Sequence, residues 1–166
     1  MAREAAPVLI AYDGSEVSRA AVRHAAELFA GRPAVLATVW EAGLAAVPVG
    51  IPPDTIGAGS LPPDPATIQE FNRVQRDHAT TVAADGAELA RSLGLVVEPR
   101  AVPDEADVAN ALIDIARERD AAVVVVGSHG ISGLRTRLLG SVSRKLIQHC
   151  DRPVLVIRDD VTRGDR

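Results

Sequence analysis

Val123-Val124-Val125-Val126-Gly127-Ser128-His129-Gly130 is the stretch that decides the fold, and Gly140-Ser141-Val142-Ser143 completes it after nine intervening residues. Four consecutive valines are β-branched and continuously apolar, as in a strand buried on both faces, and the glycines begin where the run stops. The strand is therefore expected to end in a loop. Gly127 and Gly130 can take positive φ and let backbone N–H groups approach a ligand with no Cβ in the way. Gly140-Ser141 opens the next apolar-periodic segment, which should be a helix. The first N–H groups of a helix have no intrahelical partner and carry the positive end of its dipole, so phosphate oxygens suit them. Ser141 and Ser143 add hydroxyls at that same end, although serine is also an ordinary residue at helix starts.

Outward from this stretch, short apolar runs alternate with amphipathic segments. Val8 to Tyr12 reads as a first strand, closed by Asp13-Gly14, with Ser15 placed to cap a helix whose inner face is Val17, Ala20, Ala21, His24 and Leu28. Gly31-Arg32-Pro33 stops that helix, and Val35 to Trp40 forms the second strand. The next 25 residues, Glu41 to Pro65, hold six prolines and four glycines and read as a long loop. Helical periodicity resumes at Ile68, Phe71, Val74, His78, Val82, Leu89 and Leu93, and Gly94 ends it. Val96 to Val102 is a third strand that Pro99 confines to a sheet edge, because proline cannot donate to a ladder. Val108, Leu112, Ile115 and Arg119 mark a third helix, and Val142, Leu146 and Cys150 mark a fourth. Val154-Leu155-Val156-Ile157 is the last strand, and Asp159 to Arg166 is a charged tail. Five strands alternating with four helices imply right-handed crossovers and a parallel sheet covered on both faces.

With 166 residues the chain suits one domain, spanning 1–158 before the tail. A 47% hydrophobic content with few aromatic residues gives an aliphatic core and no base-stacking platform. A net charge of −4 opposes broad contact with a phosphate backbone, so no nucleic-acid partner is expected. Cys150 is the single cysteine, which excludes an internal disulfide and a multi-cysteine metal site. No apolar stretch reaches membrane-spanning length and the amino terminus lacks an apolar targeting core, so a cytoplasmic location without membrane contact is expected.

The spacing G-x-x-G-x9-G-S, filled by Gly127, Gly130, Gly140 and Ser141, resembles the ATP-binding signature of the universal stress protein family. It is neither the Walker A pattern nor the Rossmann glycine triplet. The resemblance implies a doubly wound, adenine-nucleotide alpha-hydrolase-like sheet of order 3-2-1-4-5, with a ligand crevice at the carboxyl ends of the first and fourth strands. By the same resemblance Ala11, Asp13 and Val39 lie at the nucleoside end, and Gly127, His129, Gly130, Arg137, Gly140, Ser141, Val142 and Ser143 at the phosphates. Asp13 equally suits a helix cap, His129 an ordinary loop position, and Arg135 and Arg137 solvated loop positions. ATP is the implied cofactor, with Mg²⁺ held through its phosphates. A homodimer through the exposed edge Val154 to Ile157 is also implied.

The function classes are thus an ATP-binding stress-response regulator, an AMP- or cyclic-AMP-binding member, a slow ATPase of the same fold, and a dimerisation module that binds nothing. ATP pyrophosphatases and nucleotidyl transferases carry other sequences after the first strand than Tyr12-Asp13-Gly14-Ser15. Hydrolysis should be slow at most, because no carboxylate is identified at the phosphate end.

Overall fold

The computed structural model describes residues 5–42, 65–104, 106–130 and 139–158. Nine elements follow in order: β1 Val8–Ala11, α1 Glu16–Leu28, β2 Pro33–Glu41, α2 Pro65–Ser92, β3 Val96–Asp104, α3 Val108–Glu118, β4 Val123–Gly127, α4 Ser141–His149 and β5 Val154–Ile157. The five strands form one sheet in the order β3-β2-β1-β4-β5, parallel throughout. Central β1 pairs Val8 with Ala34 on one side and with Val123 on the other. Pro99 stands opposite Leu36 in the edge strand β3, where its missing N–H costs no ladder bond on the outer side.

The pleat of the sheet divides the core in two. Val8, Ile10, Leu36 and Val125 point to the face covered by α1 and α2, while Leu9, Val35, Val124 and Val126 point to the face covered by α3 and α4. The valine run of β4 is buried from Val123 to Gly127, as a central parallel strand requires.

Three helices begin or end as their sequences direct. Ser15 caps α1, its side chain accepting from Ser18 N at 3.2 Å, and Asp107 caps α3, accepting from Asn110 N at 2.9 Å. Gly94, at φ +88°, closes α2: Leu95 N donates to Ala90 O and Gly94 N to Arg91 O. The stretch expected as a loop from Glu41 to Pro65 is shorter at both ends, because Glu41 completes β2 and Pro65 opens α2. The rest of it, 43–64, lies outside the described residues, as does the tail 159–166.

The buried helix faces differ from those expected. In α1, Leu28 is exposed and His24 stands at the surface near Glu27, while Val17, Ser18, Ala21, Val22 and Ala25 face the sheet. In α2 the buried residues are Ala79, Ala83, Gly86, Ala87 and Ala90, and Val74, His78 and Leu93 are exposed. Small residues let this helix approach the sheet closely enough to hold the Tyr12 ring, which would lie 2.6 Å from a Cβ at Gly86. Close packing selected the inward face there, and Val82 and Leu89 flank it.

Candidate nucleotide site

The connections β1–α1 and β4–α4 emerge side by side at the carboxyl end of the two central strands, the point at which strand order reverses. Between them lies a crevice of about 510 Å³, with α3 contributing to its lining. Its walls hold all ten described residues among those expected from the sequence: Ala11, Asp13, Val39, Gly127, His129, Gly130, Gly140, Ser141, Val142 and Ser143. Arg135 and Arg137 lie outside the described residues.

The backbone at the start of α4 sets the polarity of the crevice. Gly140 is the N-cap and offers no side chain to the helix, and the first ladder bond runs from Arg144 N to Gly140 O. The N–H groups of Ser141, Val142 and Ser143 therefore precede the ladder, and among the described residues no group accepts from them. Gly140 N is different, since it donates to Ser128 O at 2.7 Å. That bond ties the start of α4 to the end of β4.

The two hydroxyls expected there divide in role. Ser141 is exposed at the mouth, whereas Ser143 is buried and its Oγ lies 3.1 Å from both Ser128 O and Gly140 O, each of which can accept from it. Ser143 thus braces the frame, and only Ser141 presents a hydroxyl outward. His129 is half-buried, with Nδ1 3.0 Å from Ser128 Oγ.

The glycines serve chain packing and not a left-handed backbone. Gly127, Gly130 and Gly140 all lie outside the positive-φ region, which Gly14, Gly31 and Gly94 occupy instead. A Cβ on Gly127 would lie 2.8 Å from Val17 Cγ1, so α1 packs directly on the strand end. One on Gly130 would lie 2.8 Å from Asp13 Oδ2, and one on Gly140 would lie 3.2 Å from Ser128 O. Each glycine permits a different pair of segments to meet. Asp13, expected at the nucleoside end or as a helix cap, also lies against the glycine loop.

Asp13 Oδ1 accepts from Ser15 N at 3.0 Å, so its carboxylate braces the turn into α1 while its second oxygen faces Gly130. Val39 and Ala37 of β2 and Val108 and Leu112 of α3 give the opposite wall an apolar surface. Leu112 and Val108 carry only the signal of a helix inner face in the sequence. Arg144, exposed in the first turn of α4, also lines the crevice; nothing in its sequence setting separates it from a solvated helix arginine. Behind the wall, the Lys145 ammonium pairs with Asp107 and joins α4 to the start of α3. That contact, with the Asn110 amide second, holds the Asp107 carboxyl below its ordinary range. Burial raises the phenol of Tyr12 above its ordinary value. Among the described residues no cluster of His, Cys, Asp and Glu is arranged to hold a metal, and no helix is long and apolar enough to cross a membrane.

A sheet of this order with a crevice at its switch point defines an open α/β protein with a ligand site at the strand ends. The sequence profile described as "Universal stress protein family" matches residues 5–158, and the chain belongs to that family. It is 30% identical over 162 residues to the universal stress protein YxiE of Bacillus subtilis, covering 91% of this chain and 97% of that one. Mycobacterial relatives are longer, and the chain spans about half their length. Among solved structures, the universal stress protein of Archaeoglobus fulgidus in complex with dAMP superposes with a TM-score of 0.63 at 20% identity, covering 93% of this chain and 99% of that one. A universal stress protein in complex with cAMP gives 0.61 at 24% identity, covering 91% and 95%.

Proposed function

We propose that the crevice binds an adenine nucleotide, with ATP as the physiological ligand, and that the protein acts as a nucleotide-dependent regulator of a stress response. The observation that carries this reading is the start of α4: three successive N–H groups without a side-chain cap, beside the Gly130 loop, in a crevice with an apolar far wall. Uncapped N–H groups at the positive end of a helix dipole suit phosphate, and the Val39 and Leu112 wall suits a purine. The dAMP and cAMP complexes of structural neighbours support the adenine base. Mg²⁺ would bridge phosphate oxygens with water completing its shell, as this ion commonly does.

The bound nucleotide would act by occupancy. Asp13 gives the site one carboxylate, but its Oδ1 is engaged by Ser15 N, which leaves it poorly placed to activate water. Hydrolysis would then be slow at most. Titration calorimetry with ATP, AMP, dAMP and cAMP, with and without Mg²⁺, tests the reading, alongside thermal denaturation, since a ligand of the native state raises the midpoint. Binding of none of the four overturns it, and binding of AMP with rejection of ATP overturns the triphosphate assignment alone.

The homodimer is part of the same proposal. Among the described residues β5 pairs only with β4, and Val154, Leu155 and Val156 are half-buried with no charge inside the run. An antiparallel copy of the strand would satisfy that edge. Val156→Lys is expected to yield monomers by light scattering. A wild-type monomer at micromolar concentration, or a fully dimeric variant, refutes the edge pairing.

A further inference from the structure

Arg144 and Lys145 are neighbours on α4 and use their charge in opposite ways. Lys145 turns behind the crevice wall and pairs with Asp107. Arg144 lines the crevice itself. Among the described residues no carboxylate stands within ion-pair distance of its guanidinium, whose Nη2 instead lies 3.4 Å from Leu139 O. The helix explains the direction of that reach. Side chains on a helix lean towards its amino end, so a long residue at the fourth helical position covers the turn before it. Here that turn begins at Gly140 and carries the uncapped N–H groups of Ser141, Val142 and Ser143.

A cation is poorly placed there in the unliganded protein. The amino end of a helix carries positive partial charge, which favours an acid and disfavours a base. The first turn of α1 follows that rule with Glu16, whereas the first turn of α4 holds no acidic residue. A 3.4 Å contact with one carbonyl is a long hydrogen bond and does little to offset the mismatch. An anion between the guanidinium and the open amides would be attracted by both. Among the described residues of the crevice wall Arg144 is also the only permanent cation, in a chain whose net charge is −4.

Building on the nucleotide reading, we infer that Arg144 sets how many phosphates the crevice selects: the amides of α4 hold one phosphate and the Arg144 guanidinium holds the next, so nucleoside di- and triphosphates bind in preference to monophosphates. A phosphate presents paired oxygens that match the planar fork of a guanidinium. A monophosphate seated on the amides leaves that fork on Leu139 O. The crevice of about 510 Å³ lies within the roughly 300–1,000 Å³ of small-molecule sites and has room for the longer ligand.

The test is calorimetry on the full chain with AMP, ADP and ATP, each in Mg²⁺ and in EDTA. Wild type is expected to bind ADP and ATP about tenfold more tightly than AMP, the effect of one added charge-assisted contact. Arg144→Gln should bring ADP and ATP to the AMP level while changing AMP by no more than about twofold, because a single phosphate on the amides lies farther from the guanidinium and is screened. The same split in EDTA separates the guanidinium from the metal. Arg144→Lys keeps the charge without the fork and should fall between the two. Arg144→Glu should raise the ligand-free thermal midpoint, as an acid at the amino end of a helix does, and yet weaken ATP about a hundredfold. A merely structural role does not produce that opposition of sign, and circular dichroism confirms the fold of each variant. Equal weakening of all three nucleotides by Arg144→Gln, or weakening of none, overturns the inference and leaves the nucleotide reading standing. Wild type that binds AMP as tightly as ATP overturns it in the same way. Wild type that binds none of the three overturns the nucleotide reading, and the inference falls with it.

Discussion

The β1–α1 and β4–α4 connections leave adjacent central strands in the same direction, and both lead through glycine and serine into a helix, yet they end in opposite states. At α1 the turn is self-contained. Gly14 takes φ +82°, Asp13 Oδ1 accepts from Ser15 N, and Ser15 caps the helix through Ser18 N. At α4 the N-cap is Gly140, whose own N–H is spent on Ser128 O, and three N–H groups of the first turn stay uncapped. A helix start that satisfies itself holds the fold together, while one left open by a glycine cap is available to an anion. On the proposed nucleotide reading, the contrast gives structure to one loop and recognition to the other, with Asp13 touching both.

The largest expected effect comes from giving α4 the cap that α1 has. Gly140→Asp places a carboxylate among the open N–H groups and should lower nucleotide affinity about a hundredfold by charge repulsion and competition, measured by calorimetry, with the helix content retained. Affinity within twofold of wild type would erase the distinction drawn between the two helix starts. Gly130→Val should weaken binding about tenfold, because a Cβ would meet Asp13 Oδ2 at 2.8 Å and displace the residue that joins the two loops. Ser15→Ala is the reciprocal case: it should cost about 1 kcal/mol of stability in urea unfolding and leave nucleotide affinity unchanged. A matching loss of affinity would show that the α1 turn takes part in recognition.

The smallest effect is a pH dependence behind the crevice wall. The folded Asp107 carboxyl sits below its ordinary value because of Lys145 and the Asn110 amide, so its contribution to stability is present above the unfolded-state pKa and is lost as pH falls through the lower folded one. Thermal midpoints should thus be unaffected by this group between about pH 5 and 7 and should fall below about pH 4. In Lys145→Ala that acid-side fall should be shallower. An equal fall in both proteins would remove the pair from the account.

Much of this was legible in the chain. Continuous valine runs, glycine at helix ends and Ser15 before α1 are local signals, since strand burial, left-handed turns and side-chain caps depend on a few neighbouring residues. The position of Pro99 at an edge follows equally from one missing N–H. The inward face of α2 was not legible, because hydrophobicity points to Val74 and Leu93, whereas the sheet accepts only the alanines and Gly86 against the Tyr12 ring. Nor could sequence reveal that Arg144, Val108 and Leu112 share the crevice.

By itself the sequence determined that a phosphate-suited glycine loop follows a buried strand, and that strands and helices alternate, because spacing and periodicity are properties of neighbouring residues. Tertiary structure decided what each glycine is for. Gly127 admits Val17, Gly130 admits Asp13 and Gly140 admits the Ser128 backbone, and each of those partners comes from a segment brought close only by folding. It also decided that Ser143 braces the loop, because the carbonyl of Ser128, fifteen residues away in sequence, reaches its hydroxyl only when β4 and α4 are packed together.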